Sequence, residues 1–228
     1  MCAWKIESFL QYLGQNYVLL GQEGLQINNI APLDKGGIHD ISFCSSDDKE
    51  GLISILDSKS GVILCKITLA DRISQTFGNC NRISKFFIMV DDPRLAFIKI
   101  AKLIKDYKDT RKGISRHAIV ADSAIIGKDC YIGDFAIVGD GCIVGENTTI
   151  DSRAVVRNAQ VGNNCVIQAG TIIGSDGFAF ERDSGSLELE KFPHCGRVLI
   201  GNNVEIFTNC SIARGSISDT VIEDGTKN

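Results

Sequence analysis

Three histidines, nine cysteines and one charged, aromatic stretch are the parts of this 228-residue sequence able to do acid–base, thiol or metal chemistry. His39, His117 and His194 lie far apart in the chain, and no Cys-x-x-Cys pair occurs. Zinc sites need Cys and His clustered at short spacing, so neither a metal nor any other cofactor is expected. The stretch is "GSDGFAFERDSGSLELEKFPHCGRV", residues 174–198, which carries Asp176, Phe178, Arg182, Lys191, His194 and Arg197. An imidazole such as His194 exchanges protons near neutral pH, and the ammonium of Lys191 suits phosphate or carboxylate. Each also has a plainer reading as a solvated loop residue, and Asp176 can form the Asp176-Gly177 turn through its own backbone. His117 suits an exposed or structural role, and His39, in "GGIHD", suggests none.

The elements that must position these residues are legible in the flanking sequence. In "IIGKDCYIGDFAIVGDGCIVGENTTI" (125–150), Ile126, Ile132, Val138, Val144 and Ile150 recur every six residues. The register begins at Val120, slips by one between Val156 and Val161, and continues through Ile167 and Ile173. A second block holds Ile200, Ile206 and Ile212. Four residues after each aliphatic comes a small side chain, among them Cys130, Cys142, Thr148, Ala154, Cys165, Cys210 and Ser216; Gln160 and Gly177 fit that slot poorly. A short strand and a glycine-assisted corner, repeated three times, close one triangular coil, the aliphatic pointing inward and the small residue relieving the corner. Hexapeptide periodicity predicts a parallel β-helix, with the cysteines as compact apolar fillers. Between Ile173 and Ile200 the period fails, which predicts a loop projecting at 174–199; "ARGSIS" (213–218) is a shorter interruption.

Residues 1–110 lack the repeat and read as a small α/β domain. Ile6, Phe9, Leu10 and Leu13 space like one helix face, "GVILCKIT" (61–68) and "FFIMVDDP" (86–93) read as strands, the latter ended by Pro93. "LAFIKIAKLIKDY" (95–107) reads as an amphipathic helix with Lys99, Lys102 and Lys105 outward. The charged run 105–113 is the expected linker to a prism occupying 111–228. Phe43 alternates with Ile41, which by itself favours a core position. Hydrophobic content of 44% and a net charge of −4 fit a globular chain and argue against nucleic-acid binding. No signal-peptide apolar core and no apolar run near the roughly 20 residues of a membrane span is present, so a cytoplasmic location is expected.

Beyond the hexads, "GSDGFAFERDSGSLELEKFPHCGRVLIGNNVEI" followed by "ARGSISDTVIEDGTK", with "DISFCSS" (40–46) and "DDPRLAFIKIA" (91–101), resembles the UDP-3-O-acylglucosamine N-acyltransferase family of the lipid A pathway. The resemblance covers nearly the whole chain. It implies a mainly β protein, a left-handed parallel β-helix of the hexapeptide type preceded by an α/β uridine-binding-like domain, assembled as a homotrimer with clefts between neighbours. It implies transfer of a 3-hydroxyacyl group from acyl carrier protein to the 2-amine of UDP-3-O-acylglucosamine. On this reading Phe43 stacks on the uracil, Asp176 and Phe178 shape the acceptor cleft, and Lys191 or His194 touches sugar or diphosphate. Lys191, Arg182 and Arg197 offer charge to an acidic carrier protein. Departures are visible. Lys49 stands at the second stacking position, where the family usually has Tyr, and Ala213 stands where it usually has Asp. The family's catalytic histidine follows "DGTK", and this chain stops at Asn228, so no catalytic residue is assigned and the chain is expected to be a fragment or an inactive relative. The alternative function is a non-catalytic trimeric module that holds a UDP-sugar. A γ-type carbonic anhydrase, built on the same prism, would need three histidines on neighbouring coils, and a sugar nucleotidyltransferase a Gly-rich N-terminal loop; neither is present.

Overall fold

The computed structural model describes residues 4–13, 16–21, 24–77, 85–104 and 111–228. The chain divides into two compact units, Met1–Asp109 and Thr110–Asn228. The expected linker lies mostly outside the described residues, as do Lys105 and the expected end of the last helix.

The first unit is a five-stranded sheet. Asn29–Ile30, Asp40–Phe43, Val62–Lys66 and Phe86–Val90 run parallel in that spatial order, and Tyr17–Gly21 closes the edge antiparallel to Phe86–Val90. The run Val62-Ile63-Leu64-Cys65 is fully buried because both sheet faces are covered. Val62, Leu64, Phe86 and Ile88 pack on one face with Phe9, Ile41 and Ile100; Ile63, Cys65, Phe87 and Met89 pack on the other with Ile55 and Ile73. Three helices supply the cover, α1 (Lys49–Asp57), α2 (Ala70–Phe77) and α3 (Pro93–Ile104). The Asp48 carboxylate caps α1 by accepting from the Gly51 N–H at 2.6 Å.

Two expectations for this unit are corrected. Pro93 does not merely end a strand: it is the first residue of α3, where a missing N–H costs nothing, and Asp92 caps the helix by accepting from Leu95 N–H at 2.9 Å. Ile6–Tyr12 forms a 3-10 helix, so Ile6 and Phe9, three apart, lie on one line and are both buried.

The second unit is a three-sided parallel coil. Strands of two to four residues pair with those one coil on, for example Ile126 with Val144 and Val144 with Val161, giving three five-stranded parallel sheets. Ile132, Val138, Val144, Ile150, Val156, Val161, Ile167 and Ile173 fill the interior at 1% exposure or less. The small slot holds as a packing feature, but its rule changes. It lies two residues before the next aliphatic rather than four after the last, because those two side chains share one strand and point the same way. Ala159 therefore fills it at the slip and Gln160 faces out; Val198 and Thr220 fill it after the two interruptions, not Gly177 and Ser216.

The corner also differs from expectation. Left-handed backbone falls on the residue just before the small slot, at Asp129, Phe135, Asn147, Arg153, Asn158, Asn164, Asn203 and Asn209, and at Gly141, Gly170 and Gly225. Asn dominates because it tolerates this conformation best after glycine. The glycine following the aliphatic serves close approach instead: a Cβ on Gly145 would lie 2.6 Å from the Gly162 carbonyl carbon of the next coil.

Candidate functional site

The period fails at 174–199 because the chain leaves the coil to make an antiparallel hairpin, Phe180–Arg182 against Leu189–Lys191. Its tip is held by Asp183, whose carboxylate accepts from the Ser186 N–H and Oγ at 3.0 and 2.7 Å, and by Arg182, which donates to the Leu187 carbonyl at 2.7 Å. Every residue from Phe180 to Pro193 is exposed.

At the hairpin base the strands converge on Asp176. Lys191 Nζ donates to its Oδ2 at 2.5 Å, and Arg214 places Nε and Nη2 each 2.8 Å from Oδ1. The Lys191 hydrogen bond first, then Arg214, holds the Asp176 carboxyl below the ordinary carboxylate range. Two cations against one carboxylate leave the cluster net positive and at water's edge, an arrangement suited to a further anionic group.

Beside this cluster His194 is buried, at 7% exposure, and among the described residues its Nδ1 has no hydrogen-bond partner. Gly177 packs against the imidazole closely enough that a Cβ there would lie 3.0 Å from Nε2 and 3.6 Å from the Ala213 Cβ. A buried ring nitrogen without a partner costs on the order of 1–3 kcal/mol, so His194 is poised to accept a ligand or water.

Phe178 is 95% exposed, its ring 5.1 Å from that of Phe180 in a tilted arrangement. In the first unit, Phe43 ends its strand half-buried, its ring 4.7 Å from that of Phe97 on α3. Lys49 opens α1 and is exposed. Of the residues singled out from sequence, the structure thus joins Asp176 to Lys191 and sets His194 beside the same turn. Phe178 stands on the outer surface of the hairpin, and Phe43 belongs to the sheet unit. Arg182 and Arg197 are engaged internally: Arg197 donates to the Gly141 carbonyl at 2.9 Å, and its N–H to Asp219 at 2.7 Å. Arg214 is the second cation on Asp176, a role that sequence reasoning misses. The signal is the break of period at "ARGSIS", but nothing local links residue 214 to residue 176. Among the described residues no group of three or more His, Cys, Asp or Glu is arranged to hold a metal ion.

Comparison with known proteins agrees with this architecture. The family model described as bacterial transferase hexapeptide (six repeats) matches residues 123–158 and 141–175, and that described as UDP-3-O-(3-hydroxymyristoyl) glucosamine N-acyltransferase, LpxD, matches 25–103. Curated relatives named UDP-3-O-acylglucosamine N-acyltransferase include one from Cupriavidus pinatubonensis, 32% identical over 92% of this chain and 62% of its own length. Another, from Pseudomonas putida, is 35% identical over 92% of this chain and 61% of its own. The chain therefore spans a little over three fifths of the length of the curated relatives it matches. Among solved structures, LpxA from Acinetobacter baumannii aligns with 49% of this chain and 41% of its own, at 27% identity and a TM-score of 0.41. The three-sided coil with its hexapeptide repeats is a left-handed parallel β-helix. With the two matched regions in this order and relatives similar along 92% of its length, the chain is similar to the UDP-3-O-acylglucosamine N-acyltransferases among the hexapeptide-repeat transferases.

Proposed function

We propose that this chain serves an N-acyltransferase of lipid A biosynthesis, moving a 3-hydroxyacyl group from acyl carrier protein to the 2-amine of UDP-3-O-acylglucosamine. The observation that carries the reading is the joining of the matched sheet unit, with Phe43 at a strand end, to a hexapeptide prism bearing a net-positive hairpin base. In the reaction the amine lone pair attacks the thioester carbonyl, the C–S bond breaks, the thiol stays on the carrier and a base takes the amine proton. The residues named here bind rather than transfer protons. Phe43 offers a face to the uracil. On the prism, Lys191 and Arg214 offer charge to an anionic group, and Asp176 holds both cations in place. His194 Nδ1 accepts from a sugar hydroxyl, and Phe178 packs on the acyl chain.

The same proposal includes a cytoplasmic homotrimer. Ile119, Ile137 and Val155 form an apolar row on one outer face of the prism, and Ile125 beside Ile143 forms a shorter one on another; both suit neighbouring copies. Among the described residues no helix is long and apolar enough to cross a membrane. Sedimentation at three times the chain mass is expected; a monomer at micromolar concentration refutes this part.

Calorimetry with UDP-3-O-acylglucosamine tests the binding roles. Base stacking is worth about 1–3 kcal/mol, so Phe43→Ala should raise Kd about tenfold or more, while Phe43→Leu keeps the packing on Phe97. Affinity unchanged from that of the parent chain in both variants returns Phe43 to the core. Binding of the UDP-sugar without transfer from acyl carrier protein favours the holding-module reading over the enzyme.

A further inference from the structure

The strand Asp40–Phe43 lies parallel to Val62–Lys66, with Phe43 opposite Leu64. One residue on, the Cys44 N–H donates to the Leu64 carbonyl at 2.9 Å, the bond that in a parallel ladder sets Cys44 directly opposite Cys65. Both side chains leave the same face of the sheet, since both belong to the cluster around Ile63, Phe87 and Met89. Neighbouring parallel strands lie about 4.8 Å apart, inside the range of about 4.4–6.8 Å between Cα atoms that a disulfide spans. Cys65 is fully buried, whereas Cys44 is partly exposed just past its strand end and donates only weakly, to the Ser46 and Gly51 carbonyls at 3.7 and 3.9 Å.

We propose that Cys44 and Cys65 form a reversible oxidation site, a cross-strand dithiol that a hydroperoxide closes to a disulfide. The Cys44 thiolate attacks the peroxide O–O bond, giving a sulfenic acid and releasing hydroxide, or an alkoxide from an organic peroxide. The Cys65 sulfur then attacks the Cys44 sulfur, its proton leaving with the sulfenic oxygen as water. Two thiols and one hydrogen peroxide thus become one disulfide and two waters, the sulfurs losing two electrons and the peroxide gaining them. Only Cys44 is reachable by the oxidant, so the order of the two steps is fixed by burial. Burial, with Cys44 beside it, pushes the Cys65 thiol up to about 12, which makes closure the slow step. Closing the bond draws in the segment between Phe43 and the Asp48 cap of α1. Any effect on nucleotide binding rests on the proposed role of Phe43; the thiol chemistry does not.

Excess hydrogen peroxide applied to the native full chain, followed by denaturation, alkylation and peptide mapping without reductant, tests the site. The expected result is a Cys44–Cys65 linked peptide two hydrogens lighter than its parts, a thiol titre reduced by two from nine, and full recovery with dithiothreitol. In Cys65→Ser the sulfenic acid on Cys44 should accumulate and be trapped by dimedone. Should that variant misfold, Cys44→Ser serves, in which Cys65 should stay unoxidised while the chain is folded. A Cys44 that overoxidises with Cys65 still free, or that bridges to any other cysteine, overturns the proposal.

Discussion

The same substitution, glycine to alanine, at two equivalent positions six residues apart should change stability in opposite directions. Gly139 and Gly145 both follow an interior aliphatic, and both have backbone conformations open to any residue. At Gly145 the new methyl would stand 2.6 Å from the Gly162 carbonyl carbon, 2.7 Å from its oxygen and 2.6 Å from Asn163 Oδ1. Relief to an ordinary contact of about 3.4 Å means moving the next coil's backbone by several tenths of an ångström. That coil is bound by Gly145 N–H to Val161 at 2.8 Å and Glu146 N–H to Asn163 Oδ1 at 2.8 Å, and both bonds would stretch. Overpacking costs about 1–3 kcal/mol and a weakened hydrogen bond up to about 1 more, so Gly145→Ala should lose about 2–4 kcal/mol. At Gly139 the nearest obstacle is the Arg157 Cγ at 3.2 Å, part of a flexible side chain that can turn aside. There the loss of unfolded-chain freedom dominates, and Gly139→Ala should gain about 0.4–1 kcal/mol. Urea unfolding followed by far-ultraviolet circular dichroism reads both, the transition midpoint falling for one variant and rising for the other with slopes unchanged. Equal shifts of the same sign would refute the claim that coil-to-coil approach, rather than backbone freedom, places these glycines.

At a corner, Asn164 has φ +55°, so Asn164→Ala should lose about 1 kcal/mol and Asn164→Gly almost nothing, by the same urea assay. In the small slot, Cys130→Ala should be tolerated, whereas Cys130→Leu overpacks a side chain already 5% exposed and should lose about 1–3 kcal/mol. Because the folded Asp176 carboxyl is depressed by Lys191 and Arg214, its stabilisation is fully present above the unfolded value of about 3.9 and lost as pH falls through the lower folded value. Amide protection factors across the 180–191 hairpin should therefore fall below about pH 4, and Asp176→Asn should abolish that dependence; a hairpin whose protection ignores both changes is held by something else.

Hexads are legible in a single sequence because every coil offers its side chains the same surroundings, so one physical demand is written down many times. That is why the interior row from Val120 to Ile173, the cysteine fillers and the break at 174 can be read from residue types and spacing alone. The strands Val62–Lys66 and Phe86–Val90 are legible for a related reason: burial on both faces leaves an unbroken apolar run. Helices α1 and α2 escape such a reading, being short and only modestly apolar, and Pro93 reads as an end where it is a beginning. Counting forward from the last aliphatic assigns the slot at the slip to Gln160, because it assumes a corner of fixed length, whereas Ala159 fills it.

What the repeat itself dictated was the winding of the chain, since period and side-chain size are local quantities. The tertiary structure alone decided which distant residues meet. Asp176, Lys191 and Arg214 converge from three segments, His194 is buried beside the same turn, and Cys44 faces Cys65 across a ladder. Each depends on hairpin register, coil stacking or strand pairing, and a hydrogen-bonded register is a property of two segments together that neither one's composition encodes.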